Sequence, residues 1–326
     1  MADIDLTMRD IYSARARIAP LVRKTPLVTS PTLTELTGSE IALKLENLQE
    51  TGSFKPRGAA NKILSLNPGV RQRGVVTVSS GNHGRALAYI AHRLGLRAFV
   101  CLPETVPANK RDAIQKLGAK LVFRRTYEEA QEEAYRLVEK EGLEMIHPYD
   151  DPVVIAGQGT IGLELLEEFP DLDTVVVPLS GGGLLGGIAF ALKSAEPKIH
   201  VVGVMMERGP AMVESLRAGR LVEIVEEPTL ADALAGGIIP NTYTFELLQK
   251  TVDETVLVSE QEIAAAMAFA LERHHLVVEG GGAVGIAGLR AGKLQHLGEH
   301  VAVVISGANV DMPLLLRVVQ DHLGGR

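Results

Sequence analysis

Short apolar runs rich in β-branched residues alternate with helical patterns along nearly the whole chain, and that alternation leaves few folds open. Val75-Val76-Thr77-Val78 leads into a helical pattern over 83–94, 97–102 into 107–117, and 120–123 into 127–140. Thr174-Val175-Val176-Val177 leads into 184–195, and His200-Val201-Val202-Gly203-Val204 into a further helix. Val301-Ala302-Val303-Val304-Ile305 is the last strong run, ahead of a terminal helix. Strands that are apolar on both faces must be covered on both, and helices between them supply the cover. The pattern therefore predicts an α/β chain of parallel sheets with helices outside. At 326 residues the chain is long enough for two domains. No internal repeat, low-complexity tract or Ser/Pro-rich linker divides it.

Charge and composition narrow the function. Hydrophobic content of 46% and charged content of 22% are those of an ordinary globular protein. A net charge of −7 argues against general nucleic-acid binding, which needs a basic surface, but leaves room for a local phosphate pocket. Residues 174–192 carry no charge, yet Pro178 and Gly181, Gly182, Gly183, Gly186 and Gly187 break the run, which reads as strand, glycine loop and helix rather than a membrane span. The N-terminus Met1-Ala2-Asp3-Ile4-Asp5 is acidic and has no apolar core, so no export signal is expected. The single Cys101 lies in an apolar run and reads as a small core residue of a reduced, cytoplasmic protein.

Lys55 is the strongest chemical signal. It stands in Thr51-Gly52-Ser53-Phe54-Lys55-Pro56-Arg57-Gly58-Ala59. A lysine is ordinarily a hydrated surface charge. Here Pro56 fixes the backbone after it, and Phe54 sets an apolar ring beside it. Desolvation lowers a lysine's pKa and frees the amine to attack a carbonyl.

Ser53-Phe54-Lys55-Pro56-Arg57-Gly58-Ala59 resembles the S-F-K-x-R-G-A signature of fold-type II pyridoxal-phosphate enzymes, the threonine/serine dehydratases, serine racemase and their relatives. The resemblance continues, in the family's order, through Ser79-Ser80-Gly81-Asn82-His83-Gly84, Ala156-Gly157-Gln158-Gly159-Thr160, Ser180-Gly181-Gly182-Gly183-Leu184 and Ser306-Gly307-Ala308-Asn309. It implies two parallel-sheet domains of the tryptophan-synthase-β kind, a small one at 69–143 inserted into a larger one made of 1–68 and 144–326. The implied cofactor is pyridoxal 5'-phosphate, held between them on Lys55.

The remaining roles follow from the resemblance. Gly181, Gly182, Gly183 and Leu184 would hold the cofactor phosphate, as suits a glycine loop opening a helix. Phe54 and Glu279 would lie by the cofactor ring, Asn82 would meet the ring hydroxyl, and Ser306 the ring nitrogen. Glu279-Gly280-Gly281-Gly282-Ala283 departs from the family's E-P-x-x-A at Gly280. Ser79, Ser80, Gly81, Asn82 and His83 would receive the substrate carboxylate, although Asn82 also suits a plain helix cap and His83 a buried structural role. Ser80 matches the acid/base of serine racemase on the face opposite Lys55.

The glycine loop also satisfies G-x-G-x-x-G at Gly181, Gly183 and Gly186, which raises a nicotinamide-dependent oxidoreductase as a rival. That reading wants an acid at the end of the next strand. Glu207 is close but is expected on the following helix, and the rival leaves Lys55 unexplained. No metal is expected: Met205 and Met206 stand where some relatives carry an acidic ligand, and Glu207, Asp232 and Glu214 read as scattered surface carboxylates. The histidines show no zinc-type spacing, and His274 and His275 are expected on different faces of a helix. Only 17 residues follow Asn309, too few for the regulatory domain of biosynthetic relatives.

The resemblance thus implies a cytoplasmic, homodimeric carbon–oxygen lyase. It would act as a dehydratase (ammonia-lyase) turning a small-molecule β-hydroxy amino acid, first of all L-threonine or L-serine, into a 2-oxo acid and ammonia. Hydroxyectoine-derived substrates, 3-hydroxyaspartate, phenylserine and serine racemisation stay open as alternatives. No nucleic-acid or membrane partner is expected.

Overall fold

In the computed structural model, which describes residues 5–324, ten strands form two sheets. Residues 1–4, on which the expectation of no export signal partly rests, lie outside the described part. The strands are β1 (Leu27–Thr29), β2 (Glu40–Lys44), β3 (Val75–Val78), β4 (Ala98–Pro103), β5 (Lys120–Arg124), β6 (Glu144–Met145), β7 (Thr174–Pro178), β8 (His200–Met206), β9 (Glu254–Val258) and β10 (His300–Val304). The larger sheet has the order β1-β2-β10-β7-β8-β9 and the smaller one β5-β4-β3-β6. All pairs are parallel except the antiparallel β1–β2 edge.

The runs that announced strands are the central ones. β3 and β7 are buried at every position, and β8 and β10 at all but the first. Each fully buried valine there removes about 1.5–3 kcal/mol worth of apolar surface from water. The uncharged stretch is β7 followed by the helix Gly183–Ala195, and among the described residues no helix is long and apolar enough to cross a membrane.

Three details differ from the sequence reading. The smaller sheet takes in β6, just past the expected boundary at 143, because Ile146 N–H bonds back to the Val76 carbonyl and holds this short segment on β3. Glu207 is not helical: β8 runs through Met206, the Glu207 N–H pairs with the Val258 carbonyl, and the next helix starts only at Ala211. The helix Glu260–His274 ends before His275, which turns left-handed (φ 56°) as its C-cap.

In parallel sheets ligands gather at the C-terminal ends of the strands. Here the loop after β10 pairs with the loop that carries Lys55, and Asn82, just past β3, bonds to Asn309.

Candidate active site

The Lys55 loop is stitched to the loop after β10. Ser53 pairs with Gly307 as an isolated antiparallel bridge, Phe54 N–H donates to the Ser306 carbonyl at 3.1 Å, and Ala308 N–H donates to the Gly52 carbonyl at 2.8 Å. Pro56 then opens the helix Pro56–Ser65 at its first position, where a missing N–H costs nothing. Arg57, two residues beyond Lys55, anchors this helix from inside the core. Its guanidinium forks onto Glu46 (2.8 and 2.8 Å) and onto Glu164 (2.6 and 2.9 Å) and donates to Thr160 Oγ1 at 3.0 Å. Burial works against the charge of Arg57, but Glu46 and Glu164 overcome it and raise the guanidinium pKa.

Lys55 is half-buried; its Nζ lies 5.0 Å from the centre of the Phe54 ring and donates to the Pro148 carbonyl at 2.8 Å. Burial lowers its pKa from 10.5 to about 8, with Glu279 opposing the shift. An amine with that value is uncharged in about one molecule in ten at pH 7, against fewer than about one in a thousand for a free lysine. Pro148 belongs to a segment with no sequence signature. His147 Nδ1 accepts from the Asp150 N–H at 2.7 Å, the Tyr149 ring stands edge-on to His147, and Asp150 Oδ1 accepts from Thr242 Oγ1 at 2.6 Å.

The glycine loop after β7 wraps this segment. A side chain at Gly181 would lie 2.6 Å from the Tyr149 ring, and one at Gly183 would lie 2.8 Å from the Tyr149 carbonyl. Gly182 has φ +90°, and Thr244 Oγ1 donates to the Gly181 carbonyl at 2.7 Å. The helix Gly183–Ala195, with Leu184 in its first turn, begins with no side-chain cap, so its first N–H groups are open to an anion.

The loop after β3 leads into a helix whose first residues bond to the segments beside Lys55. Ser79, Ser80 and Gly81 are half-buried, and Asn82 and His83 are buried at the start of the helix Asn82–Arg93, which is likewise uncapped; Gly81, not Asn82, is its N-cap. No side-chain hydrogen bond joins Ser80 to Lys55 among the described residues. His83 Nε2 donates to the Ile146 carbonyl at 2.8 Å, and burial, then Lys55, depress its pKa to about 3. It is a neutral ring tying this helix to the segment that holds Lys55.

Asn82 Nδ2 donates to Glu279 Oε1 at 2.6 Å, and Asn82 Oδ1 accepts from Asn309 Nδ2 at 2.6 Å. Burial raises Glu279 to about 7, against the bond from Asn82. Ser306 is buried on the last loop. Gly280, the departure from the family segment, has a local cause: any side chain there would run into the Leu230 carbonyl. At Gly307 a side chain would collide with Glu279 Oε1. Gly307→Ala is therefore expected to cost about 1–3 kcal/mol by overpacking, read as a lower urea midpoint with unchanged slope.

These features fit an aldehyde cofactor that bears a phosphate: a half-buried, partly neutral amine for the carbonyl, and an uncapped glycine-started helix for the anion. A parallel α/β frame that turns both toward one place defines an enzyme class working at its strand ends. The family model described as "Pyridoxal-phosphate dependent enzyme" matches residues 18–307, and the chain belongs to that family. It is 46% identical to the L-threonine ammonia-lyase of Thermotoga maritima, over 98% of this chain and 79% of that protein. Among solved structures, the threonine deaminase of T.th. superposes with a TM-score of 0.87 at 40% identity, covering 94% of this chain and 99% of that one. Maize serine racemase superposes with a TM-score of 0.92 at 32% identity, covering 98% of both chains. The nicotinamide reading, which left Lys55 unexplained, is thereby set aside, although the argument from the placing of Glu207 does not hold. Glu207 does directly follow β8, where a ribose-binding acid would stand, but its carboxylate accepts from Lys293 Nζ at 3.2 Å.

Proposed function

We propose that this protein is a β-hydroxy-amino-acid dehydratase acting on L-threonine and L-serine. The observation that carries the reading is the half-buried Lys55 amine of lowered pKa, held on the Pro148 carbonyl. The names of its relatives support the substrate. In this reading Gly181, Gly182, Gly183 and Leu184 receive the cofactor phosphate, Phe54, Asn82 and Glu279 border the ring, and Ser306 faces the ring nitrogen. Pyridoxal phosphate, when bound, supplies an electron sink that acidifies the substrate's α-carbon. Lys55 takes the α-proton, and the 79–83 loop binds the substrate carboxylate through N–H groups at a helix start. Overall the substrate loses its α-proton and β-hydroxyl as water, and hydrolysis of the released enamine gives a 2-oxo acid and ammonia. A hydroxyl at Ser306, rather than a carboxylate, leaves the ring nitrogen unprotonated and favours early loss of a β-leaving group over transamination.

Racemisation is the second reading, favoured by the half-buried Ser80, which matches the acid/base of serine racemase, and by the likeness to maize serine racemase. A panel of β-hydroxy amino acids, assayed for both 2-oxo acid and D-amino acid, decides between them. We expect 2-oxo acid from L-threonine and L-serine; D-serine as the main product would reverse the assignment.

The two sheets are read as a small unit inserted in a larger one, with the boundary placed after Met145. The reading includes a cytoplasmic homodimer. Cys101 is buried, and desolvation pushes its thiol up to about 11, as suits an inert core residue.

No divalent metal enters the proposal. Glu207, Asp232 and Glu214 face three separate cations, Lys293 (3.2 Å), Lys110 (2.7 Å) and Arg217 (2.8 Å). Among the described residues no group of three or more His, Cys, Asp or Glu side chains is placed to hold an ion. Chelator treatment is expected to leave turnover and Tm within about 10% and 1 °C, since a metal bound only to the folded state would add measurable stability. Several-fold activation by magnesium or calcium would overturn this.

A further inference from the structure

We propose that Arg85 is a positioning residue that fixes the amide of Asn82 in one orientation, so that Asn82 offers an N–H, and not its oxygen, to the cofactor. The inference rests on the reading that Asn82 borders the cofactor ring. Four side chains form one chain of bonds: Arg85 Nη1 donates to Asn309 Oδ1 at 2.7 Å, Asn309 Nδ2 to Asn82 Oδ1 at 2.6 Å, and Asn82 Nδ2 to Glu279 Oε1 at 2.6 Å. An amide can turn either end to a neighbour, so each link takes its direction from groups whose polarity cannot change.

Glu279 cannot set that direction by itself. Its buried carboxyl titrates at about 7, and once protonated it can donate as well as accept. Arg85 only donates at any accessible pH. It forces Asn309 to present its oxygen, which sends the Asn309 amino group to Asn82 Oδ1 and leaves Asn82 its amino group for Glu279. That amino group has two hydrogens, and the bond to Glu279 uses one. The other is the donor for an oxygen anion on the cofactor ring. The Thr51 carbonyl, which accepts from Asn309 Nδ2 at 2.8 Å, favours the same direction, so Arg85 and Thr51 grip Asn309 from both ends.

Arg85 is suited to this work. It sits one turn along the helix from Asn82, half-buried, and forms no ion pair within 4.0 Å among the described residues. The charged groups that face the chain are Asp311 toward Arg85, and Asp232 and Lys55 toward Glu279. All of them are retained in the variants below.

The test compares Arg85→Met, Arg85→Lys and Asn82→Ala as apoproteins reloaded with pyridoxal phosphate. The readouts are cofactor Kd and the pH titration of the long-wavelength absorbance band, which needs an ionised ring hydroxyl. Arg85→Met is expected to weaken cofactor binding about tenfold, the size of one lost hydrogen bond to a charged group. Its band should titrate about one pH unit higher, with the Tm of the apoprotein unchanged. Arg85→Lys, which still only donates, should restore both. If Arg85→Met does not fold, Arg85→Gln replaces it: its amide can turn either end to Asn309, so it fills the space without enforcing direction, and the same losses are expected. Wild-type spectra and affinity in Arg85→Met or Arg85→Gln, with Asn82→Ala altered, would overturn the role of Arg85 alone. An unaltered Asn82→Ala would overturn both this inference and the placing of Asn82 at the cofactor.

Discussion

Lys55→Ala is expected to abolish turnover and covalent cofactor attachment together. Removing a true general base alone costs about 10²–10⁴-fold, and loss of the attachment point adds to that. Borohydride treatment of the wild-type protein should fix the cofactor label on Lys55 and on no other lysine. The lowered pKa adds a test of sign. The uncharged amine is the nucleophile, so its fraction falls about tenfold for each pH unit below about 8 and levels off above it. Stopped-flow capture of pyridoxal phosphate by the apoprotein should follow that curve. A capture rate flat from pH 6 to 9, or a label elsewhere, would remove Lys55 from its role.

Arg57→Leu is expected to destabilise the apoprotein by about 3–5 kcal/mol, the usual consequence of stranding buried charges. Glu46 is fully buried, and among the described residues the only other cation on Glu164 is the buried Lys44, at 2.8 Å. Arg57→Lys should recover little, because an ammonium cannot fork onto two carboxylates at once. Urea unfolding of the apoprotein measures both without the cofactor's contribution. A loss under about 1 kcal/mol for Arg57→Leu would show that water or Lys44 satisfies the two carboxylates when the guanidinium is gone.

The sequence made some of this legible and hid the rest for physical reasons. β3, β7, β8 and β10 were readable because strands buried on both faces must be continuous apolar runs. β2, β6 and β9 were not. Glu40–Lys44 includes a buried lysine, Glu144–Met145 is two residues long, and Glu254–Val258 alternates at the edge of its sheet. In the site, residues within glycine-rich motifs announced themselves. The Pro148 carbonyl could not, since a backbone acceptor has no residue-type signature. Arg85 and the ion cluster around Arg57 were hidden differently: their partners Asn309 and Glu164 lie 224 and 107 residues away, and a charged residue reads as surface until its partner is known.

The bridge between Ser53 and Gly307 has a consequence for how the protein is made. It joins the two ends of a segment that contains β3 through β10, so the wall beside Lys55 exists only after residue 307 has left the ribosome. Contacts this distant in sequence form late and slowly. Nascent chains released before the loop after β10 should therefore contain Lys55 and still fail to take up the cofactor, which makes cofactor loading a report on synthesis past residue 307.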